Sequence, residues 1–159
     1  METHGWPTGW HTIDITVNIP EYLENMSLIL IANNSYIRIK GMIFPISAIT
    51  TNGAVDMIIA KCFSMKAVTS NGGIKLDSNS IQQLFVSSTN GDLELRYTPK
   101  MNGSNKILAA NGITIVRMPS NSSFMLNATA LNGRITATGF SFALSTSDGN
   151  YLVAVLGDG

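Results

Sequence analysis

One dipeptide punctuates this chain. Asn-Gly occurs at Asn52-Gly53, Asn71-Gly72, Asn90-Gly91, Asn102-Gly103, Asn111-Gly112 and Asn132-Gly133, and Asp148-Gly149 adds a turn of the same chemistry. Asn and Gly are the residues that best tolerate the positive φ angles of a two-residue type I′ turn. Set between stretches of alternating hydrophobicity, the pair is the sharpest short-range cue for a β-hairpin.

The flanks alternate as a strand requires. Ile13, Ile15, Val17 and Ile19 take every second position, as do Ile37 and Ile39, and Leu93, Leu95 and Tyr97. Further on come Phe124, Leu126, Ala128 and Ala130, then Phe140, Phe142 and Leu144, then Tyr151, Val153 and Val155. A period of two puts each set on one face of a sheet. Ile is prominent among them, and β-branched side chains pack well on a pleated surface.

Three of the turns, Thr51-Asn52-Gly53, Ser70-Asn71-Gly72 and Thr89-Asn90-Gly91, recur every 19 residues, and Asn111 and Asn132 follow at intervals of 21. That is about the length of a hairpin with its turns. The spacing reads as a meander whose turns share chemistry, with a true internal repeat as the alternative. Helix signals are confined to single turns at Pro20 to Met26 and Ser80 to Phe85, both shorter than a stable amphipathic helix. The expected fold is therefore all-β: a sandwich, jelly roll or closed barrel built from serial hairpins with Asn-Gly turns. The expected organisation is an N-terminal arm, residues 1–11, followed by a single β domain, residues 12–159.

Asn, Ser, Thr and Gly make up about 37% of the chain, whereas charged residues make up 13% and the net charge is zero. Such a balance argues against a nucleic-acid partner, which would call for a basic patch or arm. Apolar content of 45% argues against disorder. The longest apolar run, Leu28 to Ala32, is far short of the ~20 residues of a membrane helix, so no membrane association is expected. Met1 to Trp10 has neither the basic nor the apolar segment of a signal peptide. The expected site of production is the cytoplasm, with no signal peptide.

No enzymatic motif emerges. The two histidines, His4 and His11, fit no common zinc spacing, and the single cysteine, Cys62, lies among apolar neighbours as a buried structural residue would. Asp92 and Glu94 would share a strand face, a weak echo of paired catalytic carboxylates. No catalysis, metal or cofactor is expected. Trp6 and Trp10, with Pro7 and His11, form an aromatic arm suited to docking on a partner or a neighbouring subunit. Loops at Asn71, Asn102, Asn121 and Ser122 carry amides and hydroxyls suited to a glycan.

Low charge has a consequence for assembly. A soluble monomer usually covers itself with charge, whereas obligate interfaces are apolar and charge-depleted. A homo-oligomer, most simply a trimer, is the expectation. With its Asn-Gly turns, aromatic arm and all-β body, the chain resembles small bacteriophage virion proteins: capsid decoration (cement) proteins and the β-rich tips of tail fibres. That resemblance implies a structural component of the virion, docked on capsid protein through its arm and stabilising the particle. The alternative is a receptor-binding tip that takes a host glycan.

Overall fold

The computed structural model describes residues 26–41, 45–138, 144–147 and 151–156, with side chains as far as residue 136. The aromatic arm with Trp6, Pro7, Trp10 and His11, the Ile13 to Ile19 alternation and the Asp148-Gly149 turn lie outside the described residues, as does nearly all of the Pro20 to Met26 turn. Ten strands follow in order: β1 (Leu28–Ala32), β2 (Ile37–Lys40), β3 (Ile46–Asn52), β4 (Val55–Ile59), β5 (Cys62–Asn71), β6 (Ile74–Asn90), β7 (Leu93–Arg117), β8 (Phe124–Thr138), β9 (Leu144–Ser147) and β10 (Tyr151–Leu156). No helix occurs among the described residues, and Ser80 to Phe85 lies within β6 rather than in a helical turn.

The all-β expectation holds, but the architecture is neither sandwich, jelly roll nor closed barrel. From β1 to β8 every pairing is parallel. The chain winds as a parallel β-solenoid, each coil stacking in register on the one before. One ladder runs β1–β3–β5 and on through the second half of β6 to the middle of β7 and the first half of β8. The other runs β2–β4 and on through the first half of β6 to the start of β7, and past the next bends it takes in the end of β7 and the second half of β8.

The Asn-Gly pairs are therefore not hairpins. A type I′ turn needs positive φ at its first central residue, and among the described residues Asn102 is the one non-glycine with positive φ. Apart from Asn102-Gly103, each Asn-Gly instead joins the two strand segments of one coil, and the segment's partners lie one coil away. Asn52 pairs with Asn71, Asn71 with Asn90, Asn90 with Asn111, and Asn111 with Asn132. The 19- and 21-residue intervals are the lengths of coils, so the internal repeat is real. The coil from Asn90 to Asn111 takes up its extra residues between Pro99 and Ser104, opposite Ile81 and Gln83. There Asn102 adopts φ 58°, a left-handed conformation that Asn tolerates.

Alternation now explains the core. On the first ladder Ile46, Met65, Leu84, Asn105 and Leu126 stack as one buried column, and Ala48, Ala67, Val86, Ile107 and Ala128 as the next. On the second, Val55, Ile74 and Leu93 stack beside Met57, Leu76 and Leu95, all at most 1% exposed. Burying one such side chain contributes roughly 1.5–3 kcal/mol. The inward residues of both ladders join in one hydrophobic cluster, so the two strand segments of each coil supply each other's core. Cys62 is buried as expected, its Sγ–H donating to the Ser64 carbonyl at 3.0 Å. Burial raises its pKa. The parallel stack stops at β8, which β10 meets antiparallel, with β9 antiparallel beyond it.

Candidate functional site

The bend between the ladders carries a continuous run of side-chain amides. Asn52 donates to Asn34, Asn71 to Asn52, Asn90 to Asn71, Asn111 to Asn90 and Asn132 to Asn111, at 2.6 to 3.0 Å. Only a residue that is donor and acceptor at once can extend such a chain, which is why Asn recurs here. Beside it runs a column of glycines. A Cβ on Gly72 would collide with the Gly53 carbonyl, and one on Gly91 with the Gly72 carbonyl. A third column seals the inside: Thr50 donates to the Ser35 carbonyl, Thr69 to that of Gly53 and Ser88 to that of Gly72, at 2.9 to 3.2 Å. This edge is structural, because its polar groups satisfy one another.

The two outer faces differ sharply. On the second ladder Arg38, Asp56, Lys75 and Glu94 stand in register, so charge alternates from coil to coil. Arg38 pairs with Asp56 at 3.3 Å, and Glu94 with Lys75 at 3.5 Å and with Arg117 at 2.7 Å. Tyr36 donates to Asp56 at 2.8 Å. The hydrogen bond from Arg117 and the charge of Lys75 hold the Glu94 carboxyl below its ordinary range. Next to this column, Asp77 is in register with Arg96. Arg117 lies 21 residues beyond Arg96, the offset that pairs Asn90 with Asn111. Asp77, Arg96 and Arg117 border an open depression of about 510 Å³, together with Asn79, Thr98 and Pro119.

The first ladder's outer face has another character. Its central column is Ile31, Ile49, Val68, Ser87, Leu108 and Thr129. Beside it Phe85 lies in register between Lys66 and Lys106, with the Lys66 ammonium 5.9 Å from the ring centre. Ile31 is 75% exposed, and Phe63, Met125 and Leu131 are also exposed. Among the described residues the outward positions of this ladder, from Ile29 to Leu131, include no Asp or Glu.

The residues singled out from the sequence fall in separate places. Asn71 belongs to the amide chain, its carbonyl and amide both engaged. Asn102 follows Pro99 in the longer coil, and Asn121 and Ser122 follow β7, at the opposite end of the strands from Asn71. Asn121 is exposed and Ser122 buried. Asp92 accepts from the Ile113 backbone N–H at 2.8 Å while Glu94 joins the ion pairs, so each has a structural partner. Arg96, Arg117 and the Lys66–Phe85–Lys106 row escaped the reading. Offsets of 19 and 21 applied to the outward positions would have aligned them, but a meander gives no reason to apply them. No group of three or more His, Cys, Asp or Glu able to hold a metal occurs among the described residues.

Fold and faces together define a parallel β-solenoid that presents two chemically distinct outer surfaces. The chain belongs to the Toastrack DUF4097 family, whose model matches residues 14–152. No curated protein and no solved structure matches it.

Proposed function

We propose that this chain is a non-catalytic structural protein that works by packing the outer face of its first ladder against other subunits. The observation that carries this is the column Ile31, Ile49, Val68 and Leu108 on a face where the described residues include no carboxylate. A carboxylate-free sheet face with apolar side chains suits lateral packing. A standard interface takes about 800 Å² from each partner, with apolar burial contributing about 25 cal/mol per Å². The narrower form of the reading is a virion component, a capsid decoration or minor capsid protein assembled as a trimer beside capsid protein. Low charge and an abundance of amides and hydroxyls support that form.

The test is the molar mass of the full chain by size-exclusion chromatography with light scattering. The expected result is a multiple of 17.1 kDa, reduced to a folded single chain by Val68→Asp. A monomer of the parent chain at micromolar concentration overturns the proposal.

A further inference from the structure

The depression on the second ladder lies on a different face from the proposed assembly surface, and its groups point to a ligand. Arg96 and Arg117 occupy equivalent positions on successive coils, about 4.8 Å apart along the ladder. Like charges set side by side on a sheet are destabilising. Arg117 is partly neutralised by Glu94. Arg96 makes no ion pair or hydrogen bond among the described residues, although Asp77 is its register neighbour.

The neighbouring polar groups are equally uncommitted. Asp77, Asn79 and Thr98 border the same depression, and none has a side-chain hydrogen bond among the described residues. This contrasts with the amide chain on the bend, where every carbonyl from Asn34 to Asn111 is taken. In this depression two cations, Arg96 and Arg117, face one carboxylate, Asp77, which leaves one positive charge in excess. That balance fits a single negative charge rather than a polyphosphate. A guanidinium offers parallel donors that match a carboxylate. The Asn79 amide and the Thr98 hydroxyl beside it both donate to and accept from sugar hydroxyls, and the Asp77 carboxylate accepts from them.

We propose that this depression binds an acidic saccharide, with the sugar carboxylate on Arg96 and Arg117 and its hydroxyls on Asp77, Asn79 and Thr98. Arg96 is the principal anchor, because Arg117 is shared with Glu94.

The experiment is calorimetric titration of the full chain with a uronic-acid oligosaccharide, with its methyl-esterified neutral form and with inorganic phosphate, all at one ionic strength. The expected result is saturable binding of the acidic oligosaccharide alone. Arg96→Gln should weaken it at least tenfold, and Lys66→Gln on the opposite ladder should leave it unchanged. Circular dichroism of each variant confirms that the fold is kept. Absence of binding at millimolar oligosaccharide, or equal binding to the Arg96→Gln variant, overturns the proposal. Equal binding of the neutral ester removes the role of the carboxylate, and phosphate binding as tightly as the oligosaccharide reduces the site to a general anion site. Either result also overturns it.

Discussion

The side-chain amide of Asn90 donates to the side-chain carbonyl of Asn71 across 2.7 Å, and the two residues are 19 apart in sequence. That one bond ties a coil to its neighbour outside the backbone ladder. Asn90 also accepts from Asn111, so Asn90→Ala removes two hydrogen bonds. The expected loss is about 1–2 kcal/mol at roughly 1 kcal/mol per bond, read from urea denaturation. Asn71→Ala and Asn90→Ala together should cost less than their sum, since they share one bond.

The glycine column makes a steeper prediction. Gly91→Ala would force a Cβ into the Gly72 carbonyl and backbone, for an expected loss of about 3 kcal/mol, the upper end of overpacking costs. Gly41→Ala is the contrast. Gly41 has φ +73° and nothing within 4 Å of an added Cβ, so only the left-handed strain of about 1–2 kcal/mol applies. Thermal melting of both variants compares them directly.

Two buried threonines should respond in opposite directions to the same substitution. Thr69 Oγ1 donates to the Gly53 carbonyl at 2.9 Å, and Thr69→Val should cost about 1 kcal/mol. Thr114 is equally buried, but its Oγ1 meets no partner among the described groups. Thr114→Val should therefore stabilise the chain by about 1 kcal/mol, because it removes a buried, unpaired hydroxyl. Equilibrium unfolding of the two variants side by side checks both signs.

Glu94 gives a pH dependence. Its folded pKa lies below the ordinary carboxylate value, chiefly through the hydrogen bond from Arg117 and then the charge of Lys75. Its contribution is present above the unfolded pKa and is lost as pH falls through the folded one. The site is open to solvent, so Glu94→Gln should cost only about 0.5 kcal/mol at neutral pH. The difference from the parent chain should close below the carboxylate range and in high salt. Denaturation midpoints at neutral and acid pH measure it.

Much of the fold was legible. Alternation at Leu93, Leu95 and Tyr97, and from Phe124 to Ala130, marked inward positions that the structure buries. What the local pattern could not supply was pairing direction. Period-two alternation is the same in a hairpin and in a coil of a solenoid, and Asn-Gly serves both. In a hairpin it supplies positive φ. Here Asn continues an amide chain, and Gly clears a carbonyl one coil away. The evidence for the second use lay in the intervals from Asn52 to Asn132, a long-range signal rather than a local one. The Arg96 depression was hidden for the same reason: Asp77, Arg96 and Arg117 are neighbours only once coils are stacked.

The central claim is that coils 19 residues apart lie parallel and in register at the Asn-Gly bend. Disulfide trapping tests it most directly, using the chain with Ser70→Cys and Thr89→Cys against one with Ser70→Cys and Gly73→Cys. The first pair lies between Thr69–Ser88 and Asn71–Asn90 in the parallel register, at a Cα separation of about 4.8 Å that a disulfide spans. The second pair would flank a two-residue hairpin at Asn71-Gly72. The solenoid predicts an intrachain disulfide in the first chain and none in the second under mild oxidation, with Cys62 buried in both. A disulfide in the second chain and none in the first would contradict it.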